Sequence, residues 1–251
     1  DTDLGTAKLI AKEKGILAGV EVAKRVFELY DSNLSTEVFL EDGSEVAVGS
    51  IVLEVSGKVQ SILCTERLVL NIMQRMSGIA TKTRQIVNQI KGTNARILDT
   101  RKTTPGIRQL EKMAVVIGGG MNHRFGLYDM IMLKDNHIDF AGGVRNAIEQ
   151  SKAYVQEMDK PVEIEVEIRT KSELIEAVST GGIKRILLDN FTPDELRDLV
   201  PLIPDSIESE ASGGITESTI LDYAKTGVDF ISMGALTHSV KSLDLSLKAY
   251  F

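Results

Sequence analysis

The chain has 251 residues, of which 43% are hydrophobic, and a formal net charge of −7. This length allows one large domain or two modest ones, and the apolar content excludes a disordered chain. An acidic chain is a poor general binder of nucleic acid or anionic membranes, and no apolar run approaches the roughly 20 residues that span a bilayer. We therefore expect a globular protein that binds neither nucleic acid nor membrane.

The single cysteine, Cys64, excludes an internal disulfide and is typical of a reducing compartment. The first residues carry no signal-peptide pattern, so we predict a cytoplasmic location. The chain begins at Asp1 rather than Met, and we expect a leading segment to be missing. The three histidines, His123, His137 and His238, are too widely spaced for a simple zinc signature.

The first third of the chain has the pattern of a small α/β domain, which we assign to residues 1–77. Apolar spacing and intervening glycines predict a strand, a helix, three further strands and a long helix, at 7–15, 18–30, 37–40, 50–57, 58–63 and 65–91 respectively. Thr65 is the expected N-cap of the long helix. By position alone, Arg67 is an ordinary exposed residue of its first turn.

The stretch from Arg96 to Lys134 is charged against the trend of the chain. It contains seven Lys/Arg and three acids, so its local charge is about +4. The cations stand beside glycines rather than along one solvated helix face. This clustering indicates a pocket for a small, highly charged anion, and the alternative is a basic surface loop.

From Ala95 onward, short strand-like runs alternate with helical stretches. The strands are predicted at 95–100, 129–135, 162–167, 184–190, 205–212 and 229–235, and the helices at 143–158, 171–180, 192–200 and 216–227. Thr192 is the expected N-cap of one helix, with Pro193 at its first position, and Thr216 begins another. This alternation is typical of parallel βα units.

Polar residues fall at or just after the end of each predicted strand: Asp99, Arg101 and Lys102; Lys134 and Asp135; Glu165; Asp189; Glu210 and Ser212; and Gly234. In a β/α barrel all strand C-termini open on one face, which carries the active site. An open doubly wound sheet would gather its functional residues at one switch point instead. The distribution therefore favours a barrel.

Several motifs occur in a consistent order along nearly the whole chain: DTRKTTPGIR (99–108), GGGMNHRFGLYD (118–129), LKDNH (133–137), EIEVE (163–167), LLDN (187–190), SGG (212–214) and MGALTHS (233–239). In these motifs the chain resembles the quinolinate phosphoribosyltransferase family. The resemblance implies a small N-terminal α/β sandwich domain and an incomplete, seven-stranded α/β barrel at 78–240. We expect the seventh strand near Met113–Ile117, and the tail 241–251 to pack on the first domain.

The resemblance also implies an activity. Quinolinate and 5-phosphoribosyl-1-pyrophosphate (PRPP) would react to give nicotinate mononucleotide, pyrophosphate and carbon dioxide, in de novo NAD biosynthesis. Mg²⁺ is the implied cofactor, and a homodimer with shared active sites is the implied assembly. Both substrates are polyanions, which fits the cationic stretch, because forked guanidinium groups suit planar carboxylates.

The resemblance gives individual residues a role. The implied quinolinate ligands are Arg101, His123, Arg124, Lys134 and, reaching into the partner subunit's site, Arg67. The implied PRPP and phosphate ligands are Lys102, Glu165, Asp189, Ser212, Gly213, Gly214, Gly234 and Ala235. Lys134, Glu165 and Asp189 are the expected catalytic residues, and we expect Lys134 to stabilise charge at the ring carbon that loses carbon dioxide. A small-residue loop such as Ser212–Gly214 before a helix is suited to phosphate.

Glu165 and Asp189 are carboxylates inside apolar strands, where unpaired acids would be costly. We expect them to hold Mg²⁺ directly or through water, and to bind the ribose hydroxyls. Strand alternation puts Glu163, Glu165 and Glu167 on one face, so the residues leave the choice open, and the resemblance selects Glu165. The structural alternative is that these acids face solvent or pair with nearby cations.

Two other functions remain open at this stage. One is a pyridine phosphoribosyltransferase that takes nicotinate without decarboxylation, although a monocarboxylate needs fewer cations. The other is a non-catalytic barrel that binds anionic metabolites. A doubly wound nucleotide-recycling transferase is disfavoured, because its two adjacent acids are missing: Asp189 is followed by Asn190.

Overall fold

The computed structural model describes residues 3–157 and 161–250. It divides into two compact units, each built from several chain segments. The first unit comprises Asp1–Gln85, Lys102–Gly120 and Gly234–Phe251, and the second comprises Ile86–Arg101 and Met121–Met233. In the described residues, no helix has both the length and the apolar character to cross a membrane.

The first unit contains an antiparallel sheet of four strands. They are β1 (Leu4–Ala11), β3 (Ser35–Val38), β5 (Ile51–Lys58) and β12 (Leu245–Tyr250), in the order β12-β1-β5-β3, and a separate pair joins β2 (Gly15–Ile16) to β4 (Glu45–Val46). Alternate residues of β1, namely Ala7, Leu9 and Ala11, are buried. This period of two is the pattern of a strand with one face on the core.

Helices α1 (Val20–Tyr30), α3 (Arg108–Gly118) and α9 (Ala235–His238) belong to the first unit, and α2 runs from Val59 to Gln89. The predicted strand at 58–63 is wrong, because Lys58 ends β5 and residues 59–63 begin α2. Its buried residues Ser61, Thr65 and Val69 recur every four positions, which is the helical period. Thr65 is therefore not an N-cap: it lies inside the helix, and its hydroxyl donates to the Ser61 carbonyl oxygen.

The second unit is built around a parallel sheet of six strands: β6 (Arg96–Leu98), β7 (Met130–Leu133), β8 (Glu163–Ile168), β9 (Arg185–Asp189), β10 (Glu208–Ser212) and β11 (Phe230–Ser232). Its order is β6-β11-β10-β9-β8-β7. Between the strands lie α4 (Asp135–Ala141), α5 (Val144–Gln156), α6 (Lys171–Thr180), α7 (Pro193–Leu199) and α8 (Ile220–Ala224), and a 3₁₀ turn, Val200–Leu202, follows α7. Parallel strands joined by helices match the predicted βα units.

The capping signals had mixed outcomes. Thr192 caps α7 with Pro193 at the first position, as predicted, and a capping box with Glu195 completes the N-terminus. Thr216 does not begin α8, which starts at Ile220; its backbone N–H donates instead to the Thr219 hydroxyl in a turn. The predicted helix 143–158 is α5, and Met158 lies outside the described residues.

The seventh strand is not at Met113–Ile117, which lies within α3. Ala114, Val115 and Gly118 are buried at helical spacing there, so the apolar run serves a helix rather than a strand. A seventh position does occur beside β6, as a single parallel bridge between Leu98 and Met121.

Candidate active site

A histidine and two acids from distant strands meet inside the second unit. Nε2 of His123 lies 3.1 Å from Oε2 of Glu165 on β8 and 3.4 Å from Oε2 of Glu210 on β10. His123 is two residues beyond Met121, which bridges to β6. In a flat sheet, β6 and β8 would be four strand spacings apart, or about 19 Å. The sheet therefore curls, and these side chains enter the interior of a barrel.

Asp99, just after β6, fixes the segment that carries His123. Its side chain is fully buried, and Oδ1 accepts a hydrogen bond from the His123 backbone N–H at 2.9 Å. A buried carboxylate that accepts backbone N–H groups is stable only while that backbone stays in place. Asp99, one of the strand-end residues predicted to be functional, therefore holds residues 122–124 in position.

The two carboxylates give His123 a positive charge. Burial alone lowers the pKa of His123, but hydrogen bonds to Glu165 and Glu210 and their charges outweigh burial and raise its pKa to about 9. Nδ1 faces the Arg124 backbone N–H at 2.6 Å, an arrangement that favours the neutral ring. The two buried carboxylates outweigh this single amide, so the His123 ring is positively charged.

The two acids themselves differ. Burial, followed by the charge of Glu210, raises the pKa of Glu165. Burial also acts to raise the pKa of Glu210, but His123, Ser232 and Arg185 lower it overall. Arg185 on β9 donates to Glu210 at 3.1 Å and to Glu208 at 2.8 Å, and its guanidinium also stacks on the Phe230 ring. Glu210 is therefore the more firmly ionised of the two.

Arg185 was missed by the sequence analysis. It lies in RILLD, where a lone cation opens an apolar strand, and it is almost fully buried. A buried arginine is rare unless it is paired. The available signal was therefore a cation in a strand whose two neighbouring strands both carry acids. With His123, it balances the charges of Glu165 and Glu210.

Arg124 follows His123 in the chain and lies within electrostatic range of Arg101. Arg124 is 9% exposed, and one Nη donates to the Met130 carbonyl oxygen at 3.3 Å. Burial and then the charge of Arg101 lower the pKa of Arg124. Arg101 itself is exposed. A nearly buried guanidinium with a second cation in range is an environment that an anion would stabilise.

Lys134 lies at the end of β7, and its ammonium is 2.9 Å from Oε2 of Glu167 at the end of β8. Of the three alternating acids on β8, Glu163 is exposed, Glu165 is fully buried and Glu167 is nearly buried beside the exposed Lys134. Nδ1 of His137 accepts the Lys134 backbone N–H at 3.0 Å, which closes the first turn of α4. His137 thus has a structural role in this turn.

Asp189 and Ser212 are paired in register at the ends of β9 and β10. Gly213 and Gly214 follow with φ of 93° and 62°, values that favour glycine. A Cβ at Gly213 would collide with the Asn190 side chain. The small-residue loop is therefore required by the packing of Asn190 and leaves backbone groups accessible at Gly214, which is exposed.

The comparisons with known proteins identify the family. Residues 2–77 match the model for the quinolinate phosphoribosyl transferase N-terminal domain, and residues 79–248 match the C-terminal domain. The chain belongs to the quinolinate phosphoribosyltransferase family.

Named relatives agree with the match to the two family models. A Bacillus subtilis protein, the probable nicotinate-nucleotide pyrophosphorylase (carboxylating), is 46% identical over 96% of this chain and 82% of its own. The chloroplastic nicotinate-nucleotide pyrophosphorylase (carboxylating) of Arabidopsis thaliana is 46% identical over 96% and 73%. The NadC structure from Streptococcus pyogenes is 40% identical, with a TM-score of 0.92, over 99% of this chain and 87% of that one.

The remaining residues expected from the quinolinate phosphoribosyltransferase resemblance belong to the first unit. Arg67 lies exposed on α2. Lys102, Gly234 and Ala235 lie near one another, since a Cβ at Gly234 would be 3.0 Å from Cδ of Lys102. The lysine stem therefore runs across a glycine that has no side chain to block it.

Among the described residues, His123, Glu165 and Glu210 form a group that could hold a metal ion. The group does not suit Mg²⁺, which prefers six oxygen ligands and retains several waters. Glu165 and Glu210 are fully buried, both contact His123, and Glu210 also pairs with Arg185. Asp189 and Glu167 fit Mg²⁺ better. Both are carboxylates at the ends of neighbouring strands, and Asp189 is partly exposed.

Proposed function

We propose that this chain transfers the phosphoribosyl group of PRPP to quinolinate with loss of carbon dioxide, giving nicotinate mononucleotide and pyrophosphate in de novo NAD biosynthesis. The observation that supports the proposal is the nearly buried Arg124 next to His123, which the contacts with Glu165 and Glu210 keep positively charged, with Arg101 within electrostatic range. These groups match two adjacent carboxylates on one planar ring, because guanidinium forks bind carboxylates in plane. The lone Cys64 fits a cytoplasmic setting for this reaction.

Quinolinate is proposed to bind to Arg101, His123, Arg124 and Lys134. Arg124 and His123 hold one carboxylate from the barrel interior, where the low dielectric strengthens the attraction. Lys134 is exposed, and its ion pair with Glu167 keeps its ammonium at the strand ends, where a substrate can reach it. We propose that it lies beside the carboxylate that leaves.

PRPP is proposed to bind to Asp189, Ser212, Gly213 and Gly214. We also propose phosphate-binding roles for Lys102, Gly234 and Ala235, as the resemblance implies. For the ribose hydroxyls and for Mg²⁺, directly or through water, we propose Glu167 and Asp189. Glu165 was the acid expected there, but its full burial and its contact with His123 support a different role, namely holding His123 charged and oriented.

The reaction needs no protein nucleophile, because the pyridine nitrogen attacks the anomeric carbon of ribose as pyrophosphate leaves. Asp189 and Glu167 orient the ribose, and their negative field stabilises the cationic character at that carbon. When bound, Mg²⁺ would neutralise charge on the leaving pyrophosphate. The ribosylated ring nitrogen then draws electrons from the carbon–carboxylate bond. Lys134 stabilises the charge left on that carbon and delivers its proton there.

A homodimer with shared active sites is proposed for the surface of α2 around Arg67. Leu63 is 62% exposed and Leu68 is 54% exposed on this helix, and Val59 lies on the same exposed stretch. Exposed apolar side chains that surround a cation are typical of a surface that another subunit covers. Arg67 would then reach the partner's quinolinate site.

Subunit mixing tests this assembly. Arg67→Ala and Lys134→Ala variants, each inactive alone, should recover about a quarter of wild-type activity after exchange, because half the dimers are mixed and each has one intact site. Heterodimers that form without any recovery would exclude shared sites. Recovery with Lys134→Ala and Arg124→Ala, which damage the same site, should be absent.

The function itself is tested by pyrophosphate release from PRPP and Mg²⁺ with either quinolinate or nicotinate. We expect turnover with quinolinate and none with nicotinate. Turnover of nicotinate would indicate the non-decarboxylating alternative. Quinolinate binding measured by calorimetry, without any turnover, would indicate a non-catalytic anion-binding barrel.

A further inference from the structure

An ion pair between two residues to which the proposed function gives no role lies in the first unit. Nε and Nη2 of Arg75 on α2 lie 3.0 Å and 2.8 Å from Oε1 of Glu111 on α3. Glu111 is fully buried, and the Arg75 side chain is 24% exposed. Such a pair adds little net stability compared with an apolar pair, so its geometry is of more interest than its energy.

The same carboxylate also holds the loop that follows Lys102. The Thr104 backbone N–H donates to Oε2 of Glu111 at 2.9 Å, and the Thr104 hydroxyl donates to Oε1 at 2.9 Å. Glu111 thus accepts four hydrogen bonds, two from an arginine and two from one residue of the loop. The loop cannot move without breaking charge-assisted hydrogen bonds.

Arg75 extends this network to the segment that contains α9. Its Nη1 donates to the Val240 carbonyl oxygen at 3.1 Å, and its Nη2 donates to the Thr237 carbonyl oxygen. The buried Thr237 hydroxyl donates to the Lys102 carbonyl oxygen at 2.8 Å and lies 3.2 Å from that of Gly234. One network therefore joins the backbone at Lys102, Gly234 and Thr104.

We propose that Arg75, Glu111 and Thr237 are positioning residues that set Lys102 against Gly234, so that both meet the phosphate groups of the phosphoribosyl substrate. The inference rests on the proposed function, which makes Lys102 and Gly234 phosphate ligands. None of the three positioning residues contacts substrate. They act through the backbone, and a displacement of about 1 Å in a charged ligand can cost about a hundredfold in rate.

The test is a pair of substitutions at Thr237. Thr237→Val keeps the shape and removes the hydroxyl, whereas Thr237→Ser keeps the hydroxyl. We expect Thr237→Val to raise the KM for PRPP about tenfold and to leave the KM for quinolinate within about twofold of wild type. Thr237→Ser should restore the KM for PRPP to within about twofold of wild type.

Thr226→Val is the matched control. The Thr226 hydroxyl is also buried and donates to a carbonyl oxygen, that of Tyr223, at 2.7 Å, but at the end of α8 in the second unit. It should lower Tm as much as Thr237→Val does without changing either KM. If Thr237→Val does not fold, Glu111→Gln, which also loses acceptor capacity toward the loop, replaces it with the same expected split.

Three results would overturn the proposal: an unchanged KM for PRPP in Thr237→Val, equal increases in both KM values, or a Thr237→Ser variant as impaired as Thr237→Val. Wild-type turnover is measured in the same series, so an inactive wild type would contradict the proposed function instead. In that case calorimetry with inorganic pyrophosphate tests positioning alone, and equal affinity of wild type and Thr237→Val would overturn it.

Discussion

The antiparallel sheet of the first unit and the parallel sheet of the second unit bury different side chains. The core of the first unit is aliphatic and includes Leu9, Leu53, Val69 and Met73, all fully buried. The inner strands of the second unit bury Glu165 and Glu210 just as completely. A buried leucine contributes about 1.5–3 kcal/mol to folding, whereas a buried carboxylate costs several kcal/mol unless it is paired. The antiparallel sheet therefore serves the fold alone, whereas the buried charges of the parallel sheet suit the proposed quinolinate site.

The largest effect is expected from removing Arg124, one of the buried cations of the second unit. Arg124→Ala should lower kcat/KM for quinolinate about a thousandfold, because a charge-assisted contact made at a partly buried site is lost. Steady-state kinetics with saturating PRPP measure this. Arg145→Ala, which removes an exposed arginine near Glu176, is the control and should stay within about twofold of wild type. A loss below tenfold for Arg124→Ala would contradict the assigned role.

The two buried acids should differ in their effect on stability. Glu210→Gln should lower the free energy of unfolding by about 3 kcal/mol, because it removes the charge paired with Arg185 and His123. Glu165→Gln should cost about 1 kcal/mol, because burial raises the pKa of Glu165 and makes its charge less favourable than that of Glu210. Urea denaturation at neutral pH measures both. An equal loss, or a larger loss for Glu165→Gln, would contradict the assignment of charges.

The stability of the second unit should fall in alkaline solution because of His123. Its folded-state pKa of about 9 lies above an unfolded value of about 6.5, so its contribution is fully present below pH 6.5. That contribution is at most about 3 kcal/mol, and we expect a measured loss of about 2 kcal/mol in the free energy of unfolding. It is lost as the pH rises through 9. Urea denaturation at pH 6 and pH 10 should show this fall in wild type and a smaller one in His123→Gln. Parallel falls in both proteins would exclude His123 as the cause.

The smallest expected effect is a gain in the stability of the first unit. The Thr83 hydroxyl on α2 is buried with no hydrogen-bond partner among the described residues. Thr83→Val should therefore raise the free energy of unfolding by about 1 kcal/mol. Thr65→Val is the matched control, because the Thr65 hydroxyl bonds to the Ser61 carbonyl oxygen, and it should be destabilising. A loss of stability in Thr83→Val would show that its hydroxyl is satisfied.

The sequence was informative where local periodicity determines structure. The six barrel strands and the Thr192–Pro193 helix start follow from short-range patterns. The clustering of cations predicts an anion site that includes Arg101, His123 and Arg124, and this site stays a prediction. The start of α2 could not be predicted, because KVQSIL alternates like a strand and its helical burial appears only against the sheet. Residues 113–117 were misassigned for the same reason.

The choice among Glu163, Glu165 and Glu167 shows a second limit. The three acids share one strand face, and they differ only in depth along the barrel. That depth is set by the pairing of Glu165 with Arg185 across β8 and β9, which depends on the stagger of the closed sheet. No pattern within one strand contains this information, which also explains why Arg185 was overlooked.

The most direct test of the account measures carbon dioxide and pyrophosphate together. Quinolinate labelled in the carboxylate next to the ring nitrogen is incubated with the protein, PRPP and Mg²⁺. We expect one labelled carbon dioxide for each pyrophosphate, and none of either when PRPP is omitted. Pyrophosphate release without carbon dioxide, or carbon dioxide release without PRPP, would contradict it.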